Sequence, residues 1–262
     1  MSKGELAYAI RITTIGKIIY KSTKGLETKQ ALAPIDLLLD NGESLGIVGM
    51  SGSGKSTLLR LIALLEEPTS GAILVSGHSV SGMTLSARRR AYEQIQMVFQ
   101  HPGSVISPRM TIGEFMSEPY RCMKGLSVSE SLAQVNRVLE EVDLPASYTK
   151  KFAHEVSGGE LQRIVLGRVV SVAPKLVLFD EPTSALDPQT EQGVLTYIKR
   201  LQREHGFASI FVSHNIEVVE DMATRIVVMK DGCVVDTIDD GAQLRDSAVA
   251  YTQELLRASL LT

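Results

Sequence analysis

Apolar residues along this chain form compact runs separated by longer stretches with helical spacing. The compact runs, which have the length and composition of buried strands, are residues 45–48, 71–76, 95–99, 176–179 and 209–213. Apolar residues recur at helical spacing in residues 58–65 and again in residues 132–142. Strands that alternate with helices along one chain predict an α/β fold.

The two ends of the chain depart from this alternation. In the first forty residues, β-branched and apolar residues predict short strands at residues 10–14, 17–20 and 35–39. Near the other end, residues 225–229 and 234–238 flank the dipeptide Asp231-Gly232, which is a strong hairpin signal. The ends therefore predict further strands outside the alternating core.

The interval from about residue 110 to residue 152 predicts helices only. Ser127 and Glu130 have the spacing of a capping box, in which two side chains satisfy backbone N–H groups at a helix start. The helix that follows is expected to stop at Pro145, because proline cannot continue a helix. This segment is interpreted as a helical insertion between two strands.

Composition and charge narrow the class of protein. The 262 residues are 44% hydrophobic and carry a formal net charge of −3, so no basic field favours nucleic acid, and no nucleic-acid partner is expected. The two cysteines form neither a disulfide framework nor a metal-ligand pattern. The longest apolar region, residues 164–179, is interrupted by Arg168, Pro174 and Lys175, so no bilayer span is predicted. We expect a soluble cytoplasmic protein.

The strongest chemical signal is the glycine-rich segment at residues 49–57. It reads GMSGSGKST, which matches the phosphate-loop pattern G-x-x-x-x-G-K-[ST], and it joins a strand to a helix. Its glycines let backbone N–H groups turn toward an anion, and the helix presents the positive end of its dipole to the same charge. Lys55 is expected to reach the β- and γ-phosphates, and the Ser56 hydroxyl to face Mg²⁺. The predicted nucleotide-binding residues here are Gly49, Ser51, Gly52, Ser53, Gly54, Lys55, Ser56 and Thr57.

Two further strands end on side chains that suit phosphate chemistry. Asp180 and Glu181 follow the strand at residues 176–179, and His214 follows the strand at residues 209–213. Because ligands of open α/β sheets bind at the carboxyl ends of the strands, these side chains should face the same crevice as the phosphate loop. Asp180 suits the oxygen shell of Mg²⁺, Glu181 could orient an attacking water and take its proton, and His214 could sense the phosphate.

Two other signals are ambiguous from the residues alone. Ser157, Gly158 and Gly159 open a helix through glycines, which indicates either another anion site or an ordinary loop-to-helix junction. Tyr20, an aromatic residue ahead of the phosphate loop, either packs on the sheet or stacks on a nucleotide base.

Taken in order, these motifs resemble the nucleotide-binding subunit of an ATP-binding-cassette (ABC) transporter over nearly the whole chain. The matching segments are residues 49–56 for the Walker A loop, Gln100 for the Q-loop, residues 156–160 for the signature motif, residues 176–181 for the Walker B strand, residues 184–187 for the D-loop and His214 for the switch histidine. The resemblance implies an α/β P-loop ATPase with a mixed core sheet and an N-terminal antiparallel β part. It also implies one domain over residues 1–262, with a helical subdomain inserted at about residues 101–170.

In that family two subunits pack head to tail, and each ATP lies between one Walker A loop and the partner's signature helix. The resemblance therefore implies that Ser157, Gly158 and Gly159 bind an ATP held by a second subunit, and that Tyr20 stacks on adenine. The catalytic residues that it implies are Glu181, His214 and Gln100, and the Mg²⁺ ligands are Ser56, Gln100 and Asp180.

A finer resemblance concerns the transporter class. Residues 99–111 and the tail helix at residues 251–256 are similar to those of peptide and nickel importers. The implied partners are a second ATPase subunit, identical or different, two transmembrane permease subunits and, indirectly, a solute-binding protein, at the cytoplasmic face of the membrane. Glu160 replaces the usual signature glutamine, as in many exporters. Peptide and nickel both stay open as cargo, and the alternatives are a lipoprotein or drug exporter, or a non-transport ABC protein acting on DNA or ribosomes.

Overall fold

The computed structural model describes residues 8–22, 26–80 and 84–259. The strands are β1 (Tyr8–Ser22), β2 (Leu26–Asp40), β3 (Ser44–Val48), β4 (Ser70–Val75), β5 (His78–Ser79), β6 (Ile95–Val98), β7 (Leu176–Asp180), β8 (Ala208–Val212), β9 (Arg225–Lys230) and β10 (Cys233–Ile238). The helices are α1 (Lys55–Ile62), α2 (Leu85–Gln94), α3 (Ile112–Cys122), α4 (Val128–Glu141), α5 (Gly158–Val170), α6 (Pro188–His205), α7 (Ile216–Met222) and α8 (Ala250–Ser259). This order confirms the α/β fold class.

A six-stranded sheet forms the core, in the order β10-β9-β3-β8-β7-β6. Neighbouring strands run parallel except β9 and β10, which form the predicted antiparallel hairpin. Alternate residues of β7 pack into different hydrophobic clusters, Val177 and Phe179 into one and Leu176 and Leu178 into the other. Both faces of the sheet are therefore buried, which explains why its strands read as continuous apolar runs.

The strand order decides which residues can meet at the phosphate loop. β3 leads into the loop, and β8, β7 and β6 follow outward in that order. These four strands are parallel, so their carboxyl ends lie along the same edge of the sheet. Residues that follow β8, β7 and β6 are thereby placed in a row beside the phosphate loop.

A second sheet has four antiparallel strands in the order β2-β1-β4-β5. The expectation of short strands in the first forty residues is wrong, because β1 and β2 each run for 15 residues. β1 passes through Gly16 with shifts of register around it and does not end there. β2 contains Pro34 without breaking, since it is the outer strand of this sheet, where a missing N–H is tolerated.

Helices α3, α4 and α5 fill the interval between β6 and β7, where helices were predicted. Ser127 and Glu130 form the predicted capping box: the Glu130 N–H donates to Ser127 Oγ (3.3 Å), and the Ser127 N–H donates to the Glu130 carboxylate (2.9 Å). The prediction that Pro145 stops this helix is wrong. α4 ends at Glu141, and Asp143 then adopts a left-handed conformation (φ +56°) that turns the chain before the proline.

The boundaries of helix α6 follow from the residues at its two ends. Asp187 caps it by accepting a hydrogen bond from the Thr190 N–H (3.0 Å), Pro188 is its first residue, and Gly206 ends it with φ +69°. Among the helices that the structure describes, none is both long and apolar enough to cross a membrane.

Candidate functional site

The phosphate loop packs closely against β2 at Gly54. It begins at Gly49, after β3, and enters α1 at Lys55, with Gly54 as the helix N-cap in a left-handed conformation (φ +103°). A Cβ atom at Gly54 would lie 2.8 Å from Leu32 Cδ2 and 3.2 Å from the Ala31 carbonyl oxygen. Glycine suits this position because it adopts the left-handed conformation without strain and has no Cβ to collide with β2. The close contact holds the loop against β2.

Lys55 lies at the start of α1 and is 8% exposed. Its Nζ donates to the carbonyl oxygens of Gly49 (2.7 Å) and Met50 (3.0 Å) in the same loop. Burial lowers the pKa of Lys55, and the carboxylates of Glu181 and Asp180 raise it in part. A buried amine held by neutral loop oxygens can exchange them for a phosphate, which offers the full negative charge that carbonyl groups lack.

Gln100, Glu181 and His214 meet beside this loop. Gln100 Nε2 donates to Glu181 Oε2 (3.1 Å), and His214 Nδ1 lies 3.2 Å from the same oxygen. The three residues follow β6, β7 and β8, so the strand order brings them together. The structure thus places in one cluster the three side chains for which catalytic roles are predicted.

Glu181 has an unusual backbone conformation. Its φ is +48°, a left-handed value that costs a non-glycine residue roughly 1–3 kcal/mol. The Glu181 N–H donates to the Val212 carbonyl oxygen (2.9 Å), which ties it to the end of β8. The turn therefore aims a half-buried carboxylate at the crevice and is held there by the neighbouring strand.

Asp180 is the last residue of β7, and the charged groups that act on its carboxylate are Glu181, Arg60 and Lys55. Burial is the main cause that raises the pKa of Asp180, followed by Glu181, and the cations Arg60 and Lys55 lower it in part. The predicted Mg²⁺ ligands are the Asp180 carboxylate, the exposed Ser56 hydroxyl and the amide oxygen of Gln100, whose amide nitrogen is committed to Glu181. All three are the hard oxygen donors that Mg²⁺ prefers, so these residues fit the ion.

A cavity of about 710 Å³ surrounds the loop and includes residues that sequence reasoning missed. Besides the phosphate loop, Glu181 and His214, its walls contain Gln30, Ala31, Asp231 and Gly232. Gly232 links the loop to β2, since its N–H donates to the Ser53 carbonyl (2.9 Å) and its own carbonyl accepts from the Ala33 N–H (2.9 Å). The sequence marked Asp231-Gly232 only as a hairpin turn, and its place at the site follows from β9 lying beside β3.

The signature residues lie on a different cavity. Ser157 caps α5 through a capping box with Glu160, whose carboxylate accepts hydrogen bonds from the Ser157 N–H (2.7 Å) and from the Tyr148 hydroxyl (2.6 Å). Ser157 and Gly158 are exposed. Ser157 and Gly159 border a cavity between α5 and α6, and the described lining of the phosphate-loop cavity does not include them. Within one chain, the two glycine-rich elements therefore serve separate surfaces.

Tyr20 is the predicted site residue that the structure does not place. Its backbone pairs with Thr28 in the ladder between β1 and β2, but its side chain lies outside what the structure describes. Stacking of Tyr20 on adenine stays a prediction.

Comparison with known proteins gives the family. The profile described as "ABC transporter" matches residues 32–184, which is more than half of the chain. The chain belongs to the ABC transporter family. It is thus an ABC ATPase, and its nucleotide is ATP.

Individual relatives and solved structures agree with this family. The nickel import ATP-binding protein NikE of Shigella boydii is 39% identical over 216 residues, covering 82% of this chain and 81% of the relative. The di/tripeptide transport ATP-binding protein DppF of Pseudomonas aeruginosa is 36% identical over 236 residues, covering 90% of this chain and 73% of the relative. CbiO1 of Clostridium perfringens, part of the CbiONQ transporter complex, has a TM-score of 0.79 at 25% identity, over 98% of this chain and 96% of its own. The cassette MJ0796, in a dimeric post-hydrolysis state with ADP and Pi, has a TM-score of 0.76 at 28% identity, over 87% of this chain and 97% of its own.

Proposed function

We propose that this ABC ATPase is the ATP-binding subunit of an importer for a nickel-type or peptide-type solute, and that it hydrolyses ATP between two ATPase subunits. The relatives named for nickel import and for di/tripeptide transport support the importer class. The observation that carries the mechanism is the separation of the two glycine-rich elements within one chain. Each half of the site then needs its counterpart from a second subunit.

The phosphate loop is the half that holds the nucleotide. Lys55 leaves its loop carbonyls and binds the terminal phosphates, while the helix start of α1 offers backbone N–H groups. Ser56, Asp180 and Gln100 would hold Mg²⁺, which would neutralise charge on the phosphates. These groups orient ATP but include no base that activates water.

Glu181 is the group that accepts the proton of the attacking water. Its carboxylate is oriented by two neighbours, Gln100 at 3.1 Å and His214 at 3.2 Å, and the strained turn directs it into the cavity. His214, whose side chain is 67% exposed, is free to contact the γ-phosphate as well. Ser157 and Gly158 are exposed, and together with the partly buried Gly159 they would complete the site of a second subunit by facing the same phosphate.

Permease subunits dock on a groove beside the helical insertion. Leu65, Phe99 and Val105 are large apolar side chains that are 53%, 37% and 38% exposed. All three line a groove of about 350 Å³ whose walls also include Phe115 and Val169 of α3 and α5. Exposed apolar residues gathered in one groove suit an amphipathic helix of a membrane partner. This groove would hold the ATPase at the cytoplasmic face of the membrane as a peripheral subunit.

Co-purification with the permease subunits tests this docking. Leu65→Asp and Val105→Asp should each reduce the amount of permease recovered, because a carboxylate would be buried in the apolar contact. Val128→Asp is the matched control, since Val128 is 58% exposed on α4, outside the groove. Equal recovery with all three variants would exclude the groove as the docking surface.

Uptake measurements test the importer class itself. Cells that carry either the wild-type chain or Lys55→Ala, each with the permeases, are compared for uptake of Ni²⁺ and of a dipeptide. We expect uptake of one of these solutes to depend on Lys55. Unchanged uptake of both solutes would contradict the proposal, and ATP-dependent efflux would favour an exporter.

A further inference from the structure

The cavity between α5 and α6 has no role in the reaction proposed above, beyond the signature residues at its border. Its volume is about 470 Å³, within the range of roughly 300–1,000 Å³ that is typical of small-molecule sites. Three arginines line it: Arg163 from α5, and Arg200 and Arg203 from α6. Guanidinium groups bind carboxylate and phosphate groups through paired N–H donors. The cavity therefore has the chemistry of an anion site.

Two of these arginines lack an acidic partner. Arg163 Nη1 donates to the Val142 carbonyl oxygen and Arg203 Nε donates to the Lys199 carbonyl oxygen, each over a long 3.4 Å. Neither arginine forms an ion pair with another described residue. Two positive charges and most of their N–H donors are thus available to a ligand.

The carboxylates of the cavity are already engaged. Asp143 pairs with Arg200 Nη2 at 3.4 Å. Glu160 accepts hydrogen bonds from the Tyr148 hydroxyl and from the Ser157 N–H. These carboxylates have their own donors, so they do not replace an anion at Arg163 and Arg203.

Buried donors without acceptors lie in the same place. Tyr197 lines the cavity and is 6% exposed, and its hydroxyl, whose described polar neighbour Arg200 can only donate, has no acceptor for its proton among the described residues. Arg200 lies over the Tyr197 ring at 4.8 Å, and its buried Nε also lacks an acceptor. An unsatisfied buried donor costs roughly 1–3 kcal/mol. Burial raises the pKa of Tyr197, so its hydroxyl keeps its proton and remains a donor for a ligand oxygen.

We propose that this cavity binds a small organic anion that carries two or more phosphate or carboxylate groups. Arg163 and Arg203 provide the two uncompensated charges, and the buried side chains of Val194 and Tyr197 provide apolar surface for the carbon body of the ligand. The cavity is larger than a single inorganic oxyanion requires. Because Ser157 and Gly159 border it, ligand binding would also change the rate of ATP hydrolysis, a consequence that rests on the composite site proposed above.

Calorimetric titration tests binding directly. The probes are phosphoenolpyruvate, which has a phosphate and a carboxylate, and citrate, which has carboxylates only; inorganic phosphate is the third arm. The phosphate loop is first saturated with ADP so that no probe can bind there. We expect saturable binding of an organic anion, stronger than binding of inorganic phosphate. Arg163→Gln and Arg203→Gln should each weaken it roughly tenfold, as expected for the loss of one charge-assisted contact.

Arg89→Gln is the matched control, because Arg89 is exposed on α2, outside the cavity, and the net charge changes by the same amount. Thermal unfolding of each variant verifies that it is folded. Absence of saturable binding by both organic anions, or equal weakening by Arg89→Gln, would overturn the site. If binding depends on Arg163 and Arg203 but the ATPase rate does not change, the site stands and its coupling to hydrolysis fails. If the protein hydrolyses no ATP but still binds the anion, the anion site stands and the proposed composite ATP site fails.

Discussion

The two halves of the proposed ATP site are built in different ways. The phosphate loop is held by contacts that are distant in sequence: Gly54 packs against Leu32, and Gly232 donates to Ser53. The signature end of α5 is held by a local capping box between Ser157 and Glu160, and it is exposed. The phosphate-loop half is packed within the chain, and the signature half presents Ser157 and Gly158 to solvent. This difference supports the proposal that one subunit binds the nucleotide and that a pair of subunits hydrolyses it.

Among the variants considered, loss of the Glu181 base should cause the largest change, a fall in the rate of ATP hydrolysis. Glu181→Gln keeps the shape of the side chain but removes its basicity, so the rate of ATP hydrolysis should fall by roughly 10²–10⁴. ATP binding should persist, because Lys55 and the loop are untouched. Steady-state ATPase assays and nucleotide titration measure the two quantities. Glu254→Gln, at an exposed position on α8, is the control and should hydrolyse ATP normally. A normal rate for Glu181→Gln would move the base to another residue, with His214 the first to test.

Loss of the phosphate contact should have the next largest effect. Lys55→Ala removes a charge-assisted hydrogen bond, so ATP affinity should fall roughly ten- to a hundredfold. Binding of a fluorescent ATP analogue measures this change. Unaltered affinity would show that Lys55 keeps its contacts with Gly49 and Met50 when ATP binds.

The carboxylate of Asp180 should make nucleotide binding depend on pH. Burial and Glu181 raise the pKa of Asp180, so this carboxylate takes up a proton at a higher pH than an ordinary aspartate does. When the pH is lowered, Mg²⁺-dependent ATP binding should therefore begin to weaken at a higher pH than it would with an unshifted aspartate. The folded state binds this proton more tightly than the unfolded chain, so stability falls as pH rises through the raised pKa. Asp180→Asn should therefore raise the melting temperature at neutral pH and remove the Mg²⁺ dependence. Asp239→Asn is the exposed control; a lower melting temperature for Asp180→Asn would contradict this sign.

The signature half should show a smaller effect, on stability alone. The hydrogen bonds from Tyr148 and from the Ser157 N–H lower the pKa of Glu160 to about 2. A depressed acid pKa stabilises the fold above the ordinary value of 4.5, and this contribution is lost as pH falls toward about 2. Glu160→Gln should therefore lose less stability than the wild type across that range in acid-denaturation curves. Tyr148→Phe should move the pKa back toward its ordinary value; identical acid curves for all three proteins would exclude the contact.

Much of the candidate site was predictable because its signals are local. The phosphate loop, Asp180, Glu181 and His214 each follow a strand-like run, and parallel strands end at one edge of a sheet. The contributions of Ala31 and Gly232 were not predictable, since they depend on β2 and β9 lying near the loop.

The lengths of β1 and β2 were also not predictable from local sequence. Gly16 and Pro34 look like strand breaks in sequence, but pairing partners carry the strands past both residues. The cavity between α5 and α6 was not predictable for the same reason. These helices come from separate parts of the chain, and only their packing brings Arg163 near Arg200 and Arg203. Patterns of neighbouring residues predict elements, and the order of the strands decides which residues meet.

Mixing two inactive variants tests the central claim most directly. Lys55→Ala disables the phosphate-loop half, and Gly158→Asp places a negative charge at the exposed signature end, where a new Cβ would make only an ordinary 3.4 Å contact with Leu186. If each site combines one half from each subunit, a mixed dimer has one intact site. An equal mixture should then recover about a quarter of the wild-type ATPase rate, since half of randomly formed dimers are mixed and carry one good site of two. No recovery on mixing would contradict the composite site and return hydrolysis to a single chain.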